Sequence, residues 1–293
     1  MSFATACMSY GLIIHDLRSD GKIHRVPTET HPRSDNGAYM FDGRGGWMMD
    51  WSRGDAVQWW REAGAKPYTD AEKAEWLRKR RADDVEKARR AHQAALRAAQ
   101  MLSEASVVVP RAGKPWRAGR AAVPEVLAHP YLVAKGLTAE TSLVLDGRLL
   151  VPMFLAGRYR EPVGLQVIDT DGTKKFLPGQ VAKGAVHRIG NGNRDCWLTE
   201  GYATGLSLRA ALARIYSQAD VVVCFSASNL VEVARRGIGS RVMADHDESG
   251  TGERAARDTG LPWVMPGAVG MDANDLHRID GIEALVSLIG GAK

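Results

Sequence analysis

The C-terminal third of the chain alternates between short apolar runs and helix-forming runs, and this alternation constrains the fold more than any other feature. The apolar runs are rich in β-branched residues, and each is followed by a turn and a helical run. They are DCWLTE (195–200), VVVCFSA (221–227), RVMADHD (241–247) and WVMP (263–266). Strands of this composition between helices are typical of a parallel sheet covered on both faces. The sequence therefore predicts a doubly wound α/β domain over residues 191–293.

Acidic residues follow three of these predicted strands. Glu200 ends the first strand, Asp245 and Asp247 end the third, and Asp272 and Asp275 follow the fourth. Ligands in such sheets bind at the carboxyl ends of the strands, and a one-residue gap on an extended chain directs two side chains to the same side. Carboxylates this close repel one another, and Mg²⁺ or Mn²⁺ relieves the repulsion. The pattern therefore predicts a metal site among these five acids.

Helix capping is the alternative explanation of the acids. Asp245, Asp247 and Glu248 precede a helical run, and acids are favoured where a helix begins. Capping can account for one or two of these acids, but it does not explain why a second strand also ends on an acidic residue. Gly201 and Gly250 lie close to helix starts, where they let a phosphate approach the backbone.

Residues 121–190 are predicted to form a preceding subdomain, an antiparallel β meander. It opens with the short helix HPYLVAKGL (129–137), and two strand-like runs follow, RLLVPMFLA (148–156) and VGLQVIDT (163–170). A tight turn in DTDGTKKFL then leads to a further run. The basic side chains of this meander are Lys174, Lys175, Lys183, His187 and Arg188.

Residues 1–66 are predicted to form a small α+β domain, and residues 67–120 a long charged helix with a basic linker. In the small domain we expect a helix over about residues 3–17 and then strands in the runs 22–28, 37–43 and 45–52. Thr69 and Glu72 have the spacing of a capping box, so the long helix is expected to begin at Thr69 and to extend to Ala105. The Pro/Gly-rich stretch that follows is typical of a linker.

Four tryptophans cluster near the N-terminus and allow two interpretations. Large rings can fill a small core, or they can form a stacking platform for nucleic-acid bases when basic residues lie between them. The tryptophans are Trp47, Trp51, Trp59 and Trp60, and the interleaved basic residues are Lys22, Arg44 and Arg53.

Composition limits the class of protein. With 293 residues, 45% of them hydrophobic, the chain can bury a sizeable core, and its net charge of +5 permits a polyanionic partner. Cys7, Cys196 and Cys224 are far apart, so neither a disulfide framework nor a zinc site is expected. The sequence shows no long apolar run and no basic segment before its first apolar residues, so we expect no membrane span, no secretory signal and a cytoplasmic location.

Glu200-Gly201, Asp245-His246-Asp247 and the DAND segment 272–275 together resemble the Toprim domain shared by primases, topoisomerases and some nucleases. The hexamer EGYATG (200–205) is similar to the signature of primases of the satellite-phage alpha-protein type. Upstream, three segments resemble the N-terminal parts of phage and plasmid Toprim primases. These segments are KIHRVPTETHPRSDNGAYMFDG, HPYLVAKGL and VGLQVIDTDGTKKFLPG.

The chain departs from this family pattern in three places. Bacterial replicative primases carry a further acid four residues after the glutamate, where this chain has Thr204. The cysteines of their zinc-binding template module are missing, which leaves the tryptophan-rich N-terminal domain as the candidate template reader. No GxxxxGK[ST] motif occurs, so a helicase partner would be a separate protein.

The resemblance implies a primase that joins ribonucleoside triphosphates on a single-stranded DNA template in the cytoplasm of a bacterial host. Asp245, Asp247 and Asp272 would hold Mg²⁺ or Mn²⁺, with Asp275 at the same edge, and Glu200 would ligate metal or transfer a proton. Lys174, Lys175, Lys183 and Arg188 would line the template or nucleotide groove, and ordinary surface charge is the alternative for each of these four residues.

Two further functions stay open at this point. A Toprim nuclease uses the same metals to hydrolyse a phosphodiester, and the threonine at position 204 also permits a nonenzymatic DNA-binding accessory protein. A phosphatase-like fold is disfavoured because its Asp-x-Asp ends the first strand of the sheet, whereas here it ends the third.

Overall fold

The computed structural model describes residues 1–51, 53, 56–64, 67–112 and 125–291. The chain divides into two compact units, Met1–Arg80 and Arg81–Lys293. The four-part division made from the sequence stays a prediction, because residues 113–120 of its linker and 121–124 of its third part lie outside the described residues. No helix in the described ranges is both long and apolar enough to span a membrane.

The first unit contains a short helix and a four-stranded antiparallel sheet. In chain order its elements are α1 (Phe3–Tyr10), β1 (Ile23–Val26), β2 (Gly37–Phe41), β3 (Gly45–Asp50) and β4 (Gln58–Arg61), and the strands lie in the order β1-β2-β3-β4. Helix α1 ends before the predicted residue 17 because Gly11 takes a left-handed conformation, with φ 96°, and its amide bonds back to the helix. Strand β4 lies outside the predicted runs.

The tryptophans of this unit divide between the two faces of the sheet. The Trp60 ring packs toward α1, with its centroid 5.4 Å from that of Phe3, as the core interpretation predicts. Trp59 is 76% exposed and lies directly across from Trp47 on the opposite face. Trp51 is also exposed, and the Arg25 guanidinium lies 5.5 Å from its ring centroid. Only part of the cluster is therefore core.

Helix α2 (Asp70–Glu104) begins at the predicted capping box. The Glu72 carboxylate accepts the Thr69 amide at 2.8 Å, and the Glu72 amide donates to the Thr69 hydroxyl at 3.3 Å. Near its C-terminal end, Ala98 is fully buried in a cluster with Leu150 and Leu165.

The second unit is built on one ten-stranded sheet. After α2 its elements are β5 (Ser106–Val108), α3 (Pro130–Ala134), β6 (Ser142–Leu145), β7 (Arg148–Leu155), β8 (Arg158–Ile168), β9 (Lys174–Phe176), β10 (Ala185–Ile189), β11 (Cys196–Thr199), α4 (Tyr202–Arg214), β12 (Asp220–Val223), α5 (Ala227–Arg235), β13 (Arg241–Met243), α6 (Thr251–Asp258), β14 (Trp263–Val264), α7 (Ala273–Asp280) and α8 (Ile282–Gly290). The strand order is β14-β13-β11-β12-β10-β7-β6-β5, with β8 paired to β7 and β9 paired to β8.

Strands β11 to β14 are parallel, whereas β10 pairs antiparallel with both β12 and β7. The meander and the parallel strands therefore share one sheet. Successive residues of β11 face opposite sides: Trp197 packs in a cluster with Leu285 of α8, and Leu198 packs in another with Leu230 of α5. Helices on both faces confirm the predicted alternation of parallel strands and helices.

Candidate active site

Glu200 and Asp245 meet at one edge of the parallel strands. Glu200 follows β11 directly, and Asp245 lies two residues after β13, whose Met243 pairs with Thr199 of β11. Because these strands are parallel neighbours, their carboxyl ends lie side by side. Asp272, at the start of α7, lines the same pocket of about 180 Å³. We call this space the carboxylate pocket; its other walls come from α3, β8, β9 and the start of α4.

Asp245 is the most perturbed acid of the pocket. Its Oδ1 is buried and receives no hydrogen bond within the described part of the chain. Burial is the main reason that the pKa of Asp245 is raised, to about 7 from an ordinary value of 3.8. The charges of Glu200, Asp272 and Asp247 act in the same direction, and the Lys174 ammonium opposes them. Buried polar atoms normally have a partner, so this oxygen is free to take a proton or to bind a water molecule or an ion.

Glu200 lies beside the turn that joins β12 to α5. Burial, and then the charge of Asp247, raise the pKa of Glu200, although an amide hydrogen bond from Ala227 and the nearby Lys174 oppose the change. The Phe225 amide also donates to the Glu200 main-chain carbonyl at 2.9 Å. A carboxylate whose pKa is raised becomes a better proton acceptor near neutral pH.

The rest of the EGYATG hexamer forms the start of α4. Gly201 is the N-cap and has no side chain to bond the first amides, and residues 201–204 line the pocket, so the positive end of α4 is directed at it. Gly205 packs against β12, where an added Cβ would lie 2.8 Å from Cγ2 of Val223. This close approach requires glycine.

Asp247 is engaged by the start of α6 and does not line the carboxylate pocket. Its carboxylate accepts hydrogen bonds from the amides of Thr251 at 3.1 Å and Gly252 at 2.6 Å, and from the Ser249 hydroxyl. Burial acts to raise the pKa of Asp247, but these hydrogen bonds outweigh it and the pKa is lowered. Gly250, in the left-handed conformation with φ 66°, forms the turn. Asp247 therefore caps the start of α6, and its charge also acts on Glu200 and Asp245.

Asp272 and Asp275 form a capping box at the start of α7. The Asp275 amide donates to Asp272 at 2.8 Å, and the Asp272 amide donates to Asp275 at 3.4 Å. Asp272 also lines the pocket, whereas Asp275 lies 3.4 Å from Arg278 on its own helix. His246, whose role the sequence left open, places Nδ1 2.9 Å from the Pro266 carbonyl oxygen. Three of the five predicted acids thus share the pocket.

Lys174 reaches the pocket and Lys175 does not, because neighbouring residues of β9 face opposite sides. The Lys174 ammonium lies 5.5 Å from the centroid of the Tyr131 ring. Partial burial and the nearby Lys135 lower the pKa of Lys174, while the pocket carboxylates act to raise it. The Lys175 ammonium lies 3.6 Å from the Asp169 carboxylate.

Lys183 and Arg188 lie away from the carboxylate pocket. Lys183 is 3.3 Å from Glu232 and lines a separate cavity. Arg188 lies 2.6 Å from Asp220, the first residue of β12 and therefore at the opposite end of that strand from the pocket. The same aspartate accepts the amides of residues 191–193. Arg188 thus belongs to a buried structural ion pair.

Four residues of the pocket were not among the predicted site residues. They are Tyr131, Lys135, Gln166 and Phe225. The Tyr131 hydroxyl and the Gln166 Oε1 are buried and have no hydrogen-bond partner among the described residues. Burial, and then the charge of Asp272, raise the pKa of Tyr131 to about 12. The segment HPYLVAKGL, which contains two of the four, was the available signal.

The pocket's donor set fits a hard divalent cation that binds together with a substrate. Its acids offer only carboxylate oxygens, the ligands that Mg²⁺ and Mn²⁺ prefer. Within the described ranges, no group of three or more His, Cys, Asp or Glu is arranged to hold a metal ion. Mg²⁺ commonly uses one or two carboxylates and completes its coordination with water and substrate phosphates. The unpartnered Oδ1 of Asp245 is an oxygen in this pocket that is available to such an ion.

Comparison with known proteins adds a sequence relationship. The chain is similar to DNA primases. One Escherichia coli DNA primase TraC is 28% identical over 252 residues, which are 80% of this chain and 16% of that protein. A second Escherichia coli TraC is 27% identical over 249 residues, 79% of this chain and 21% of that protein. The chain thus spans less than a quarter of the length of these relatives. No family model matches.

Solved structures give weaker likenesses. The primase fragment of the bacteriophage T7 primase-helicase protein has a TM-score of 0.41 and 15% identity, covering 91% of this chain and 98% of that one. A DNA primase domain from Pseudomonas aeruginosa has a TM-score of 0.35 and 17% identity, covering 55% of this chain and 58% of that one.

Proposed function

We propose that this chain is a DNA primase of the Toprim type, which synthesises short oligonucleotides on single-stranded DNA by nucleotidyl transfer. The observation that carries the proposal is the convergence of Glu200, Asp245 and Asp272 with Lys174 in one pocket at the carboxyl edge of β11 and β13. The sequence similarity to the TraC primases supports it. The EGYATG hexamer favours the satellite-phage subtype and a role in phage or plasmid replication.

The pocket is proposed to bind Mg²⁺ or Mn²⁺. Asp245 and Asp272 would hold the ion, with Glu200 beside them, and the unpartnered Asp245 oxygen is the main support. A divalent ion held there would neutralise charge on the triphosphate and on the leaving pyrophosphate. Asp247 and Asp275 are proposed to act indirectly, by fixing the starts of α6 and α7.

The chain's own residues would bind and orient the nucleotide. Lys174 and Lys135 would contact phosphate oxygens, and the uncapped start of α4 at Gly201 offers backbone amides to the same charge. Glu200, whose pKa is raised, would take the proton of the attacking 3′-hydroxyl. The hydroxyl oxygen bonds to the α-phosphorus while the bond to pyrophosphate breaks. Ribonucleoside triphosphates are the proposed substrates.

The exposed face of the N-terminal sheet is proposed to bind the single-stranded template. Paired positions place Ile23, Met40, Trp47 and Trp59 in one row across all four strands. The face also carries Arg25 and Arg61, and none of its strand residues is acidic. Aromatic rings beside arginines stack bases and attract phosphates. A separate replicative helicase is the proposed partner, and a bacterial cytoplasm the proposed location.

The test is incorporation of labelled ribonucleotides on single-stranded DNA with Mg²⁺ or Mn²⁺. Wild type and Glu248→Gln, an exposed acid in the same turn, should make oligonucleotides, and Asp245→Asn should lose at least about a hundredfold in rate. Cutting of the template without synthesis would favour a nuclease instead. DNA binding without either reaction would favour an accessory protein.

A further inference from the structure

Phe225 occupies a backbone conformation that a bulky residue rarely adopts. In the turn between β12 and α5 its φ is 67°, in the left-handed region. Glycine would take this conformation without the cost that a Cβ brings. Strained residues of this kind cluster at ligand clamps and active sites. An aromatic residue is therefore present at position 225 although its backbone conformation disfavours one, which indicates a function for the side chain.

Phe225 lines two spaces. The first is the carboxylate pocket. The second is a cavity of about 420 Å³, whose wall includes Met153, Phe176 and Cys224. The ring centroids of Phe176 and Phe225 are 5.9 Å apart at an interplanar angle of 85°. This second cavity, which we call the aromatic cavity, has the size of a small-molecule site.

The wall of the aromatic cavity is fixed by hydrogen bonds. Asn229 donates to the carbonyls of Ala185 and Cys224, both at 2.8 Å, and accepts the Gly184 amide at 2.6 Å. These bonds tie the start of α5 to the loop before β10. Ser228 remains exposed at the cavity, where its hydroxyl can bond a polar edge. The cavity is therefore preformed, and its wall combines apolar side chains with polar and charged ones, Arg235 among them.

We propose that the aromatic cavity receives the base of the nucleoside triphosphate whose phosphates lie in the carboxylate pocket, and that Phe225 is the ring on which this base stacks. This inference rests on the proposed function. A nucleotide has a charged end and a flat aromatic end, and Phe225 is the side chain that borders both a carboxylate-rich and an aromatic space. Lys183 and Glu232, 3.3 Å apart at the cavity, lie where the base edge would meet solvent.

The test compares binding of ATP and of inorganic tripolyphosphate, both with Mg²⁺, by calorimetry. Phe225→Leu keeps an apolar side chain and removes the flat ring, so ATP binding should weaken at least about fivefold, the loss of one base–aromatic stack. Tripolyphosphate carries no base, so its binding should not change. Phe225→Trp should retain ATP binding.

Tyr216→Gly is the matched control. Tyr216 also has a positive φ, 58°, and is 88% exposed at the end of α4, outside both cavities. Replacing either aromatic residue by glycine should relieve backbone strain, but only Phe225→Gly should weaken ATP binding. This separates loss of the ring from a change in stability.

Three results would overturn the inference. The first is that wild type binds no ATP, and the second is that Phe225→Leu weakens the binding of ATP and of tripolyphosphate equally. The third is that Phe225→Leu weakens only the binding of single-stranded DNA, which would assign the cavity to a template base. The proposed function has a separate readout. If Phe225→Leu weakens ATP binding selectively while wild type makes no oligonucleotides, the base site stands and the primase proposal fails.

Discussion

Asparagine at position 245 removes one titrating group from the carboxylate pocket and leaves a side chain of nearly the same size. In the folded chain the pKa of Asp245 is about 7, against an ordinary value of 3.8. A tenfold change in a proton equilibrium corresponds to about 1.4 kcal/mol. Holding Asp245 ionised in the folded chain therefore costs on the order of 4 kcal/mol.

The sign of the effect follows from proton binding. Between pH 4 and pH 7 the unfolded chain has released this proton and the folded chain retains it, so the stability of wild type falls as the pH rises. Above about pH 7 both states are ionised and no further loss occurs. Asp245→Asn lacks this titration. The free energy of unfolding of wild type minus that of the variant should therefore decrease by about 4 kcal/mol from pH 4 to pH 8.

Urea denaturation at a series of pH values, in the presence of a chelator, measures this difference. Glu248→Gln is the control, because Glu248 is exposed in the same turn and its difference from wild type should stay nearly constant. At pH 8, Mg²⁺ should stabilise wild type more than Asp245→Asn, because a ligand of the folded state shifts the unfolding equilibrium. A wild-type-minus-variant difference that changes by less than about 1 kcal/mol over this range would refute the reasoning.

Three further substitutions test individual side chains. Lys174→Met should raise the KM for nucleoside triphosphates about tenfold in a primer-synthesis assay, whereas Lys175→Met, on the other side of β9, should not. Arg188→Met should lower the free energy of unfolding by about 1.5–3 kcal/mol in urea denaturation, because it removes a charge-assisted hydrogen bond from Asp220, which keeps the amides of residues 191–193. A nucleic-acid role alone would leave stability unchanged. Trp59→Ala should weaken binding of labelled single-stranded DNA at least about fivefold. Trp76, an exposed tryptophan of α2, is the control. Equal weakening by Trp76→Ala would contradict template binding by the exposed face of the N-terminal sheet.

The parallel half of the fold was predictable because each of its strands is short, apolar and followed by a turn. In such a sheet the carboxyl ends of the parallel strands lie along one edge, so Glu200 and Asp245 could be placed at the same edge from their positions alone. The order of the strands could not be read in this way. In the structure β11 lies between β12 and β13, and this order makes the two acids neighbours.

The functions of the individual acids were harder to separate. An aspartate at the end of a strand is also an aspartate before a helix, and both positions favour a negative charge for different reasons. The turn at Gly250 brings two amides of α6 onto the Asp247 carboxylate, so this acid caps a helix while its charge also acts on Glu200 and Asp245. The same ambiguity holds for Asp272, which caps α7 and lines the pocket at once.

The residues that complete the pocket lay beyond sequence reasoning because they come from a distant part of the chain. Tyr131 and Gln166 belong to α3 and to a strand of the meander, and neither was singled out. Lys174 was predicted only together with Lys175, because no local pattern indicates which side of β9 faces the acids. A shift of one residue in register would exchange Lys174 for Lys175. The pairing of β9 with β8 settles the choice, with Ile168 opposite Lys174.

The parallel part of the sheet and the meander contribute opposite charges to the carboxylate pocket. Burial, and then the charges of Glu200 and Asp272, raise the pKa of Asp245, and Lys174 of the meander partly opposes this increase. The three acids alone would repel a triphosphate. The two lysines do not fully neutralise these acids, so the complete pocket stays negative. A divalent cation changes that balance, because it turns the same carboxylates from repelling groups into ligands. Because β10 joins both halves in one sheet, the spacing of acids and lysines is fixed by the fold before any nucleotide arrives.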